Sequence, residues 1–280
     1  MSNERISRLG QIGIYTKKNF RLFFSEKGWG FIIFGLIISL LVSAIVGDDM
    51  FQTYDATNSG FFTILSACIW IGIFNSIQKI CKERDIIKHE HRSGMHISSY
   101  VISHVIYQGI ICLVQSIIML VCCMIFIDFN SKGIIFSSSL IEYFITIFLA
   151  IFSSDIMGLA VSSIVKTPNT AMTIMPFILI IQLIMSGVLF ELDGIVEKVA
   201  NLTVSKWGME AMGSIGNLND PDLPLKISSI YPNVVRINFS SSYDATSEHL
   251  LKVWLVLIIF IIIFTLISII SLEFVDYDKR

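Results

Sequence analysis

Residues 250–272 read LLKVWLVLIIFIIIFTLISIISL, with a single charge, Lys252, near the start. As an α-helix rising about 1.5 Å per residue, such a run crosses the roughly 30 Å of bilayer hydrocarbon. It is apolar on every side, so it has no polar face to turn toward water. Five further runs of this kind occupy Trp29–Val46, Gly60–Ile80, Tyr100–Ile127, Ile134–Val165 and Ala171–Phe190. Of 280 residues, 54% are hydrophobic and 15% charged. The mean hydropathy of +0.74 is too high for one water-soluble domain. The expected fold class is all-α, a six-span integral membrane helical bundle. The third and fourth runs exceed the span length and leave room for tilt or extension past the bilayer.

Charge is sorted by side. Arg5, Arg8, Lys17, Lys18, Arg21 and Lys27 precede the first run, and Lys79, Lys82, Arg84, Lys88 and Arg92 lie between the second and third. Lys166 sits between the fourth and fifth, and Lys279 and Arg280 close the chain. The alternate loops carry Asp48, Asp49, Asp55 and Asp128 against Lys132 alone. Basic segments stay cytoplasmic. The sequence thus predicts both termini inside and residues 191–248 outside, in a multi-pass protein of a prokaryotic cell membrane. The division that follows is a cytoplasmic amphipathic helix over 1–27, a membrane domain over 28–272 and a cytoplasmic tail over 273–280.

A net charge of −2 supplies no basic field for nucleic acid. The first 27 residues hold no apolar core ahead of a small-residue cleavage site, so no cleaved signal peptide is expected. Cys68, Cys81, Cys112, Cys122 and Cys123 fall within or beside spans, and none lies in the outer segment, so no outer disulfide framework is expected. The adjacent pair Cys122–Cys123 reads as packing. The chain has no GxxxxGK[ST], HExxH, GxSxG or paired CxxC pattern. His89, His91, His96 and His104 cluster in sequence without metal-ligand spacing. No catalytic residue, metal or cofactor is expected in this chain.

The stretch KERDIIKHEHR, Lys82–Arg92, packs nine titratable side chains into eleven residues. Charge at that density is costly in lipid, so it faces cytoplasm or protein. A simple connection needs only a handful of residues. This one has helical propensity and opposite charges at helical spacing, as in Asp85–Lys88. Its readings are a solvated loop that sets topology and, more strongly, a docking helix for a cytosolic protein. Ahead of the first span, residues 5–24 read as an interfacial helix, with Ile6, Leu9, Ile12, Phe20 and Phe23 on one side and Lys17, Lys18 and Arg21 opposite. The outer segment has helical spacing in its first half. Its second half, with Pro221, Pro224, Pro232 and a run of serines, reads as loop.

The stretch ERDIIKHEHRSGMHISSY, residues 83–100, resembles the coupling segment of the membrane subunits of ABC exporters of the G subfamily, matching at Glu83, Arg84, Ile86, His89, Glu90, Ser93, Gly94, Ser98, Ser99 and Tyr100. Residues 158–190, GLAVSSIVKTPNTAMTIMPFILIIQLIMSGVLF, are similar to that family's fourth-span end, inside turn and fifth span. SKWGMEAM, residues 205–212, resembles its outer helix that dips back into the membrane. The ordered set covers roughly residues 5–272, but the ATPase that many members carry on the same polypeptide has no counterpart here.

The resemblance implies a permease of the ABC-type-two class: a subunit that pairs with a second permease subunit, as homo- or heterodimer, and with a separate ABC ATPase subunit carrying ATP and Mg. Within it, residues 81–97 would couple to the motor through Glu83, Arg84, Ile86, His89, Glu90 and Gly94. A substrate cavity would match Cys68, Ile71 and Phe74 with Ile180 and Leu183, and an outer valve would match Val188 and Leu189. Ordinary lipid or helix packing is the competing reading for all seven. A hydrophobic or amphipathic cargo, a lipid, drug or peptide, would move outward. Asp155 is the intramembrane acid that stands out, with Asn75, Gln108, Gln115 and Gln182 as neutral companions. It reads either as a cargo or gating residue or as an interhelical hydrogen-bonding one. The rival functions are an ion-coupled carrier or channel using Asp155, and a membrane scaffold docking a cytosolic protein.

Overall fold

With no water in a bilayer core, a spanning backbone must satisfy its hydrogen bonds internally. The structure, a computed structural model, does this with helices alone among the described residues, which are 7–25, 28–47, 49–129, 132–190, 192–220, 223 and 240–274. In chain order they are α1 (Arg8–Ser25), α2 (Trp29–Val46), α3 (Tyr54–Ser76), α4 (Lys79–Arg92), α5 (Ile97–Phe126), α6 (Ser139–Ile164), α7 (Pro168–Ile184), α8 (Ile195–Ala200), α9 (Val204–Ile215) and α10 (Ser247–Glu273). Five helical stretches are long and apolar enough to cross a membrane: α2, α3 with its continuation α4, α5, α6 and α10. The sixth expected span holds α7, a shorter apolar helix of 17 residues. The chain is an all-α membrane bundle.

α6 is its axis. Eighteen of its 26 residues are buried, and α3, α5, α9 and α10 all pack on it. Small residues let α3 approach closely: a Cβ at Gly72 would sit 2.3 Å from the Ile151 carbonyl oxygen, and one at Gly158 would sit 2.7 Å from Ser76 Oγ. Close backbone approach through small residues is how helices associate in lipid, where an apolar side chain gains little by exchanging lipid for a neighbouring helix. α10 is pinned by Trp254 Nε1, which donates to Thr146 Oγ1 at 2.9 Å. α2, α7 and α10 carry exposed Leu, Ile and Phe on their outward faces. α7 buries a single stripe, Ala171, Met175, Leu179 and Gln182.

Several boundaries differ from expectation. The second span begins at Tyr54 rather than Gly60, because Thr53 Oγ1 accepts from Ala56 N and caps the helix. It ends at Ser76, and the expected coupling segment 81–97 becomes α4 over Lys79–Arg92 followed by a turn at Gly94 with φ 103°. The fourth span begins at Ser139 rather than Ile134, since the Glu142 carboxylate accepts the N–H groups of Ile135 and Phe136 and holds them outside the helix.

α1 turns the Phe20 and Phe23 part of its expected apolar face inward, but not Leu9. Leu9 is 81% exposed, while Asn19 and Phe23 are buried against α5. Tyr15 meets Tyr100 edge-on, and Phe20 and Phe23 meet Tyr107. Lys17 and Arg21 stay exposed as expected. Arg5 and Ile6 of the expected helix lie outside the described residues, as do most of the proline-containing outer loop (221–222 and 224–239) and the tail from 275.

The outer segment's helical half divides into α8 and α9. Ten of the twelve α9 residues are buried between α3, α6 and α10. The tight contacts again fall on glycines: a Cβ at Gly208 would meet Leu65 at 2.6 Å. Glu210 is buried here, 3.9 Å from Lys206. Burial pushes its carboxyl up to about 7, against the opposing pull of Lys206, a hydrogen bond from Ser242, and Lys252.

Candidate functional site

Among the described residues α4 is the most charged helix, and its two faces differ in exposure. Lys82, Asp85, Ile86 and His89 are exposed on one face, with Ile86 51% exposed. On the other, Ile80, Cys81, Arg84 and Ile87 are buried. The first half of the inward face is held by an exchange of caps with α6. The first N–H groups of a helix have no partner within it, nor do its last carbonyls. At the start of α4, the Ser162 hydroxyl oxygen accepts from Ile80 N and Cys81 N, each at 3.1 Å. In return, Arg84 Nη1 donates to the Ser163 carbonyl at 2.8 Å and the Val165 carbonyl at 3.0 Å, where α6 ends. Ser271 Oγ of α10 donates to the same Ser163 carbonyl at 3.0 Å. Each helix therefore supplies what the other's terminus lacks.

Arg84, the second of the expected coupling residues, faces inward. A residue expected to meet a motor protein is 8% exposed and spends its guanidinium on the end of α6. Glu83 also turns partly inward, where its carboxylate accepts from the Tyr100 hydroxyl at 3.0 Å. Glu90 pairs with Lys18 of α1 at 3.2 Å. Tyr15, on α1 beside them, has its hydroxyl pushed up to about 12, first by burial and then by the nearby Glu90. Gly94 forms the turn into α5, and Gln11 of α1 bridges it by donating to the Gly94 carbonyl and accepting from His96 N. Of the six expected coupling residues, Ile86 and His89 lie on the open face of α4, Gly94 is exposed in the turn, Glu83 and Glu90 join α4 to α5 and α1, and Arg84 is structural.

Three of the four expected polar companions of Asp155 gather round it, Asn75 and Gln108 directly and Gln115 through Asn75. Gln108 Nε2 donates to Asp155 Oδ1 at 3.1 Å, and the Cys112 thiol and Asn75 Nδ2 lie 3.1 and 3.4 Å from Oδ2. Asn75 and Gln115 exchange two further bonds, at 2.6 and 3.0 Å. Asp155, Asn75, Gln108 and Gln115 are all buried, so the cluster ties α3, α5 and α6 together. Gln182 stands apart: its side-chain oxygen accepts from Ser205 N at 3.0 Å, joining α7 to α9. Sequence reading missed Cys112, which looks like a packing residue until its neighbours are known.

The five expected cavity residues do not converge within the chain. Cys68 and Ile71 are buried in the core of α3, and Ile180 is 52% exposed on α7, with Leu183 half-buried. Phe74 does face an opening, a cavity of about 690 Å³ between α1, α2, the α3–α4 joint and the start of α7. Val188 is half-buried and Leu189 52% exposed, just past the turn at Gly187 that follows α7.

The profile of the family described as ABC-2 type transporter matches residues 10–215, from α1 to the end of α9. The chain is also 25% identical over 221 residues to an ABC transporter ATP-binding/permease protein of Mycobacterium tuberculosis, a match covering 74% of this chain and 25% of that protein. The chain therefore spans about a quarter of the length of this curated relative. It belongs to the ABC-2 type transporter family.

Proposed function

We propose that this ABC-2 type transporter domain is the permease of an ATP-driven exporter, moving a hydrophobic or amphipathic cargo outward on energy from an ABC ATPase held on a separate subunit. The supporting observation is the division of labour on α4. One face is locked to α6 by exchanged caps, and the other offers Lys82, Asp85, Ile86 and His89 to the outside of the bundle. A mixed-charge face around an exposed isoleucine suits an oriented protein contact, and its rigid backing passes the partner's movement into the spans. The mycobacterial relative, named as both ATP-binding and permease, supports an ATPase as that partner. ATP and Mg belong to that subunit.

A second permease copy completes the transport path in this reading. The outward apolar faces of α2 and α7, with Ile180 and Leu183 on the latter, would meet the copy or lipid. In this reading α1 and α4 are cytoplasmic and residues 191–248 are outside, which the distribution of basic residues supports. Co-purification tests the assignment. Asp85→Lys and Ile86→Asp, both on exposed positions, should abolish retention of the ATPase and cargo-stimulated hydrolysis while leaving expression and melting unchanged. Retention of the ATPase at parental levels by both variants would reject α4 as the docking element.

A further inference from the structure

The 690 Å³ cavity has walls of two kinds. Phe31 and Phe74 line one part, and Lys79 and Lys82 stand at the α4 side. Lys18 also reaches the wall, though it is turned to Glu90. Glu83 is the single acid among the lining residues, and its carboxylate already accepts from Tyr100. A narrow recess of about 70 Å³ adjoins the cavity and shares Phe31, Lys79 and Glu83 with it. Asn19 and His104 line this recess. Both are buried, at 6% and 2% exposure, and neither Asn19 Nδ2 nor either ring nitrogen of His104 has a hydrogen-bond partner.

Buried polar groups without partners are uncommon, and each calls for an explanation. Asn19 offers amide N–H donors, a neutral imidazole offers one N–H, and a lysine offers three. A recess lined by such donors matches an oxyanion, and the aromatic walls beyond match a hydrocarbon chain. We propose that this cavity binds an anionic amphiphile, with its phosphate or carboxylate head in the Asn19–His104–Lys79 recess and its apolar chain against Phe31 and Phe74. A zwitterionic head would bring a second cation beside Lys79. Free phosphate would leave the aromatic walls unfilled. The site opens between α1, α2 and α7, so the same chemistry has two sources: a resident bilayer lipid or the cargo itself. The inference deepens the transport reading by naming a ligand class, and it stands on the cavity without it.

The test uses the full chain in an uncharged detergent, melted with dioctanoyl phosphatidylglycerol, dioctanoyl phosphatidylcholine or inorganic phosphate. A ligand that binds the folded state raises the melting midpoint, by a stabilisation that grows as RT ln(1 + L/Kd), L being the free ligand concentration. Phosphatidylglycerol should act at roughly tenfold lower concentration than phosphatidylcholine, and phosphate alone should not act in that range. Asn19→Leu and Lys79→Gln should each weaken the phosphatidylglycerol response about fivefold. Without lipid, Asn19→Leu should melt no lower than the parent, because it removes an unpartnered buried amide; a purely structural Asn19 predicts a lower midpoint. Equal responses to the two lipids, a full response to phosphate alone, or an undiminished response in Asn19→Leu would each overturn the site. Vesicles containing the chain with its ATPase then separate the sources. ATP-dependent redistribution of labelled phosphatidylglycerol between leaflets supports cargo. Retained binding without redistribution supports a resident lipid, leaving the site in place while counting against transport of this ligand class.

Discussion

Replacing Arg84 by leucine separates two roles that one residue could play at a cytoplasmic junction. A docking arginine would be dispensable for the fold and indispensable for the partner. The geometry gives the reverse. Arg84 donates to two carbonyls at 2.8 and 3.0 Å, both at the end of α6, and is 8% exposed. Hydrogen bonds to a charged group contribute about 1.5–3 kcal/mol each, so the pair represents roughly 3–6 kcal/mol. Leucine keeps most of the buried stem, and water at the end of the bundle re-solvates part of the freed carbonyls, so a loss of about 3 kcal/mol is expected. For a chain of this size that lowers the melting midpoint by about 6–12 °C. The five cysteines are all free and buried, so a thiol-reactive fluorophore reports unfolding directly. Ser162→Ala, which uncaps the start of α4, should cost less, about 1 kcal/mol. An Arg84→Leu midpoint within about 2 °C of the parent, together with loss of a bound ATPase, would refute the capping argument and return Arg84 to the docking face.

The close α3–α6 crossing makes Gly72→Ala a destabilising change of about 1–3 kcal/mol, because the added methyl would meet the Ile151 carbonyl, a backbone atom that cannot swing aside; parental melting would show that the crossing relaxes freely. Glu210 holds a proton in the folded chain at pH values where the unfolded chain has released it, so stability should fall as pH rises from about 4.5 to about 7. Glu210→Gln should flatten that part of the melting profile, and an unchanged slope would remove Glu210 as its cause. A cysteine at Ser241, in a background without native cysteines, should label from outside whole cells with an impermeant reagent while one at Ser93 should not. Labelling with the opposite polarity would invert the proposed topology.

The spans were legible because apolar length is a strong signal, and the Asp155 cluster was partly legible because polar letters inside apolar runs have few places to go. Asn75, Gln108 and Gln115 turned out to be its neighbours, while Gln182 met a backbone N–H of α9 instead. Composition says that a helix is charged, not which charge it turns inward. Arg84 points in because α6 ends beside it with carbonyls to satisfy, a fact held eighty residues away in the sequence. The place of Leu9 on α1 was misread for a similar reason, while Phe20 and Phe23 pack as the pattern suggests. The partner of α1 is the tyrosine-bearing side of α5, so Tyr15 and Asn19 displaced Leu9 from the contact. α9 reads as a helix of the outer segment that dips back toward the membrane, and its glycines let it lie flush against Leu65 and Tyr243.

The shared termini of α4 and α6 also define a load path. The connection from α3 to α4 is a two-residue turn at Ile77–Gln78, which bends more readily than a helix. The joint to α6 is held by four hydrogen bonds, with donors on α4 and acceptors on α6. A force applied to α4 therefore travels along α6, a rod of about 39 Å at 1.5 Å per residue, to the end where Glu142 folds back the preceding chain. α10 braces the rod near both ends, through Ser271 on the Ser163 carbonyl and Trp254 on Thr146. α7, tied by one narrow stripe, shares little of that thrust. Strain from a stroke at α4 would accumulate along the seam between the braced rod and its lightly held neighbour.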